Sequence, residues 1–106
     1  VSKEATVASQ HERAFAREDV QFLCEALVAV ATPAQARAFL VDLCTPKEVE
    51  ELAQRLDVAR RLSHGESYTA IQQHTGASST TVSRVSKYLQ GAEGGYAQVL
   101  AQLEGE

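Results

Sequence analysis

Ser79, Thr80, Thr81, Ser83, Arg84 and Lys87 put six short polar or cationic side chains into nine consecutive positions. Hydroxyls donate and accept hydrogen bonds, which suits the mixed edges of base pairs, while guanidinium and ammonium groups suit phosphate. The pattern favours recognition of a polyanion over bond-breaking chemistry. Ser79 and Thr80 have a second reading as helix caps, which is compatible with the first. No Ser-His-Asp, Cys-His, paired-carboxylate or phosphate-loop arrangement is legible, so no catalytic residue is assigned and the chain reads as a non-enzyme. His11, His64 and His74 have no evident partners in the sequence, and neither they nor Cys24 and Cys44 show metal-ligand spacing. No metal and no cofactor is expected. Both cysteines lie in apolar helical stretches and read as small buried hydrophobes of a reducing compartment.

The elements that must position these groups are helices. Residues 65–90, GESYTAIQQHTGASSTTVSRVSKYLQ, read as two short helices joined by a tight turn. The first runs over 68–74 with Ser67 as its N-cap, and Gly76 takes the turn, where the lack of a Cβ permits positive φ. Ser78 or Ser79 caps the second helix, which continues through Leu89. Ile71, Ala77, Val82, Val85 and Leu89 are placed to pack on each other and on a core. This is the helix-turn-helix that lays one helix in the DNA major groove. An ordinary helical hairpin with a glycine turn is the plain alternative.

Helix dominates elsewhere as well. Residues 1–15 are polar with little periodicity and read as a flexible arm, or as a helix formed only against a partner. A helix over 18–31 has a broad apolar face of Val20, Leu23, Cys24, Leu27, Val28 and Val30. Thr32-Pro33 opens the next, Pro33–Leu43. Thr45-Pro46, with Glu48 completing a capping box, opens the longest, which runs to about Ser63 with Leu52, Leu56, Ala59 and Leu62 as its buried stripe. GAEGG at 91–95 is a break before a final helix over 96–103. Residues 16–106 thus form one domain, with the helix-turn-helix at 67–90.

Net charge is −4, which by itself argues against DNA, yet its distribution is uneven. Residues 55–90 carry Arg55, Arg60, Arg61, Arg84 and Lys87 against Asp57 and Glu66, a local net of +3. The positive segment coincides with the helix-turn-helix, so the electrostatic footprint is local. No apolar run approaches the length needed to span a bilayer and no signal-peptide pattern is present, so the expectation is a cytoplasmic protein with no membrane partner. Phe22, Leu23, Leu27, Val28 and Val30 cannot all face one narrow stripe, and helices that are apolar nearly all round must be buried nearly all round. In so short a chain a second copy is the expected cover, and a dimer also extends the few base pairs that one small module reads.

CTPKEVEELAQRL followed by ARRLSHGESYTAIQQHTGASSTTVSRVSKYL resembles the Trp repressor family, closest in pattern to its YerC/YecD-like branch. The resemblance covers about residues 20–103 and rests on both the motifs and their spacing. It implies an all-α, intertwined homodimer with a helix-turn-helix in each subunit, binding double-stranded operator DNA. By the same resemblance Ser79, Thr80 and Ser83 fall where the family meets base edges, and Thr81, Arg84 and Lys87 fall near phosphate or effector positions. Gln72 stands where helix-turn-helix units often have a small residue; with its amide turned outward it reaches toward phosphate. Thr45, Arg55 and Arg84 match polar groups of the family's effector pocket, with Arg55 alternatively a solvated or ion-paired helix arginine. Val85 stands at the family's glycine and Tyr88 at its serine, so the space for an indole is filled and tryptophan is not the expected effector.

The expected function is that of a sequence-specific DNA-binding regulator, a repressor acting on a two-fold symmetric operator. One alternative keeps this fold but requires a small-molecule corepressor other than tryptophan. Another, suggested by Tyr68 and Tyr88, is a helix-turn-helix module that docks onto a protein. Exposed aromatics and aliphatics in place of hydroxyls and cations would have favoured that last reading.

Overall fold

Side-chain caps set where three of the helices begin. In the computed structural model, which describes residues 3–105, the chain forms α1 (Lys3–Phe15), α2 (Glu18–Ala29), α3 (Pro33–Leu43), α4 (Pro46–Ser63), α5 (Tyr68–Thr75), α6 (Ser79–Leu89) and α7 (Gly95–Glu104), with no strand among the described residues. Before α4, Thr45 Oγ1 accepts from the Glu48 N–H (3.2 Å) while Glu48 Oε1 accepts from the Thr45 N–H (2.8 Å), so the capping box forms in full. Ser67 Oγ accepts from the Ala70 N–H and Ser78 Oγ from the Thr81 N–H, both at 3.1 Å, which assigns the cap of α6 to Ser78. Gly76 ends α5 at φ +74°, the left-handed conformation expected of it.

The chain divides into two compact units, Val1–Leu43 and Cys44–Glu106. In the first, α1 lies along α2, and the Gln21 side-chain amide donates to the Phe15 (3.3 Å) and Ala16 (3.4 Å) carbonyls at the end of α1. The stretch read as an arm is therefore helical from Lys3 to Phe15. The α2 helix stops at Ala29, two residues short of the expected end. Val30 is extended, and the Ala31 N–H donates to Gln35 Oε1 (2.9 Å), so the start of α3 takes over those residues. No residue from 7 to 43 is buried.

In the second unit, α4, α5, α6 and α7 enclose one core of Val58, Ala59, Ile71, Ala77, Val82, Val85 and Leu100, with Leu62 and Tyr96 packed against it. Leu89, expected in this core, is half-buried. The stripe expected on α4 is only partly right. Ala59 is buried and Leu62 half-buried, but Leu52 and Leu56 are exposed and Val58 takes their place. Val58 and Ala59 are small enough for α5 and α6 to approach α4 closely, whereas the two leucines lie on a flank that the unit leaves uncovered. The cysteine expectation also fails. Cys24 is exposed on α2, which buries nothing within the chain, and Cys44 is half-exposed just before the α4 cap. Among the described residues no helix is long and apolar enough to cross a membrane.

Candidate nucleic-acid interface

The α6 helix has one apolar and one polar side. At 100° per residue, Val82, Val85 and Leu89 share the inward face, and Val82 and Val85 are buried in the core. Ser79, Thr80, Ser83, Arg84 and Lys87 fall on the opposite side, and all five are exposed. The predicted contact residues are thus brought onto one stripe of one helix. Thr81 lies outside that stripe: it is half-buried, its N–H is held by the Ser78 cap, and its Oγ1 accepts from the Ser78 hydroxyl at 3.1 Å. Gln72, on α5, is half-buried. The turn between α5 and α6 is tied by the Thr75 hydroxyl, which donates to the Ile71 carbonyl (2.7 Å) and accepts from the Ala77 N–H (3.1 Å). Gln54 of α4 donates its side-chain amide to the Thr75 carbonyl (3.1 Å), anchoring the same turn from below.

A cleft of about 180 Å³ lies between α4 and α6, lined by Glu51, Gln54, Arg55, Thr81, Arg84 and Val85. Three of the predicted effector residues, Arg55, Arg84 and Val85, therefore meet there. The other two do not line it. The Thr45 hydroxyl is engaged in capping α4, and Tyr88 is half-buried farther along α6. The volume is well below the several hundred Å³ usual for ligand pockets, and buried Val85 forms part of its wall.

The basic segment does not act as one footprint. Arg60 pairs with Asp57 at 2.6 Å, and Arg61 binds Asp57 and Glu66, both at 3.2 Å. The hydrogen bond from Arg60, with a further one from Arg61, holds the Asp57 carboxyl below the usual carboxylate range against the opposing effect of burial. Arg55 of α4 and Arg84 of α6 form no ion pair among the described residues and line the same cleft, together with Glu51. Two histidines also have partners that the sequence did not reveal. His74 Nδ1 lies 3.2 Å from Arg61 Nη1 and 3.3 Å from Glu66 Oε1, and His64 Nε2 lies 2.7 Å from Glu104 Oε1, linking α7 to the end of α4. The His74–Glu66 spacing of eight residues is a signal only once α5 is known to fold back on the α4 terminus. His64–Glu104, forty residues apart, has no local signal. No group of three or more metal-ligating side chains occurs among the described residues.

Comparison with known proteins gives a consistent result. The family model described as Trp repressor protein matches residues 18–104. The uncharacterized protein YerC of Bacillus subtilis (strain 168) is 44% identical over 66 residues, 62% of this chain, and the match spans 64% of YerC. Among solved structures, a TrpR-like protein from Eubacterium eligens ATCC 27750 superposes with a TM-score of 0.76 at 35% identity, covering 82% of this chain and 90% of that one. A candidate Trp repressor from Staphylococcus aureus gives 0.78 at 33% identity, covering 85% and 90%.

Proposed function

The chain belongs to the Trp repressor family, a family of helix-turn-helix regulators, and from that premise we propose that it is a sequence-specific DNA-binding repressor acting as a homodimer in the cytoplasm. The observation that carries this reading is the outer stripe of α6, where Ser79, Thr80, Ser83, Arg84 and Lys87 stand exposed on a helix held from behind by Val82 and Val85. Thr80 and Ser83 meet base edges, Ser79 does so at the start of the helix, and Arg84 and Lys87 meet phosphate. The homodimer is supported by the first unit, where Phe22 is 71% and Val28 86% exposed in helices too apolar to remain in water. Two reading heads related by a two-fold axis require a two-fold symmetric operator. Repression follows from occupancy of a promoter that polymerase must use.

The cleft beside α6 supports a second reading, in which a small anionic effector other than tryptophan bridges Arg55 and Arg84. Selection of genomic fragments with purified protein, with and without an amino-acid mixture, tests both readings. A palindromic sequence is expected to be enriched. Arg84→Ala is expected to weaken binding to every sequence and to reduce the salt slope by about one, while Thr80→Ala changes the preferred sequence. Enrichment only with the mixture establishes the effector. Absence of any enriched sequence overturns the DNA-binding reading and favours protein docking through Tyr68 and Tyr88.

A further inference from the structure

Arg61 meets three other side chains of the second unit, Asp57, Glu66 and His74, and it does not lie on the exposed stripe of α6. Its Nε donates to Asp57 Oδ2 (3.2 Å), one turn back on α4. Its Nη1 donates to both oxygens of Glu66 (3.2 and 3.3 Å), in the link between α4 and α5, and faces Nδ1 of His74 (3.2 Å) in the last turn of α5. Its side chain is 27% exposed. The same His74 nitrogen also lies 3.3 Å from Glu66 Oε1, so the imidazole closes the cluster against both the cation and the carboxylate. A single planar fork thus joins α4, the link and α5.

The α5 helix needs such a device. It is eight residues long and contributes one buried side chain, Ile71. Apolar contact is non-directional, so one buried isoleucine resists separation of α5 from α4 but does little to fix its rotation. Hydrogen bonds from a charged, planar donor are directional, and they add to the single one by which Gln54 holds the Thr75 carbonyl at the end of α5. The setting of α5 then passes to α6 through the turn in which the Ala77 N–H donates to Thr75 Oγ1.

We propose that Arg61 is a positioning residue for DNA reading: it orients α5, and through it α6, and does not contact phosphate. This rests on the DNA-binding function proposed above. The positive charge of Arg61 is already answered by Asp57 and Glu66, which removes it from the field presented to a polyanion. The chemistry of the cluster agrees, since hydrogen bonding to Asp57 raises the affinity of the guanidinium for its proton.

The test compares wild type, Arg61→Ala, Arg61→Lys and Arg84→Ala, each as the full chain, on the selected operator and on random duplex. For both Arg61 variants the ratio of specific to non-specific affinity is expected to fall roughly tenfold, with the salt slope unchanged, while Arg84→Ala lowers the slope by about one. Lysine keeps the charge but lacks the fork, so it is not expected to rescue. Backbone amides of 68–75 are expected to exchange roughly tenfold faster in Arg61→Lys, with those buried in α4 and α6 retaining their protection. A slope reduced as in Arg84→Ala, a specificity ratio preserved by lysine, or unchanged α5 exchange would each overturn the proposal. If Arg61→Ala does not fold, the lysine variant decides. If wild type selects no operator, the DNA-binding reading falls separately, and the exchange measurement alone decides whether Arg61 holds α5.

Discussion

Eight of the twelve residues of α2 are apolar and none is buried, whereas four of the eleven in α6 are apolar and two are fully enclosed. Apolar content therefore does not decide burial in this chain; connection does. In Cys44–Glu106, short capped links return each helix onto the last, so a few small side chains close a core. In Val1–Leu43 the described helices leave Phe22, Leu27, Val28 and Val41 uncovered by their own unit. The second unit holds its own shape, and the first leaves its apolar faces open. The dimeric DNA reader proposed above would use both.

The contrast is broken most sharply at the first unit. Phe22→Asp combined with Val28→Asp is expected to abolish the proposed dimer, reducing the sedimenting mass by half to the 11.4 kDa of one chain. An unchanged mass would mean that another face joins the subunits. The next effect tests the second unit as a self-contained core. Ile71→Ala is expected to lower the unfolding free energy by about 2–5 kcal/mol, read as a shift in urea midpoint at constant m. A loss below about 1 kcal/mol would show that the core around Ile71 closes less tightly than its burial indicates.

The smallest effect concerns the ion pairs at the α4–α5 link. The folded state holds the Asp57 carboxyl low, through Arg60 first and Arg61 after it. Its contribution is therefore complete above the ordinary carboxylate range and is lost as the pH falls through the depressed value. Because Asp57 is partly exposed, about 0.5–1 kcal/mol is expected. The stability difference between wild type and Asp57→Asn should be present at pH 6 and shrink progressively as the pH falls below the ordinary carboxylate range. A difference independent of pH would assign the effect to packing rather than charge.

Features that depend on a few adjacent residues were legible in the sequence. The caps at Thr45 and Ser67 and the positive φ of Gly76 are consequences of local hydrogen bonding and sterics, and they appear where the residue types predicted. The inward face of α6 was equally legible, because alternation of Val82 and Val85 with hydroxyls leaves one apolar side. Errors arose where a neighbour distant in sequence decides. Leu52 and Leu56 were assigned to the core on periodicity, but α4 has more apolar surface than its own unit covers, and the small pair Val58–Ala59 is what α5 and α6 contact. Cys24 was read as buried for the same reason. Arg60 and Arg61 were counted toward a DNA footprint although Asp57, three and four residues earlier on the same helix, stands at ion-pairing distance; only the Arg61–Glu66 contact across the link lacks a helical spacing.

By itself the sequence determined the all-helical character, the starts and turns of the helix-turn-helix, and the polar stripe of its second helix, because these follow from backbone conformation and side-chain period within about a dozen residues. Only the tertiary structure decided that Arg61 and His74 meet at Glu66, that Arg55 and Arg84 share a cleft with buried Val85, and that His64 joins α7 to α4. Those outcomes depend on distances between separate helices, which are set by how small side chains pack at their crossings and leave no periodic trace in the chain.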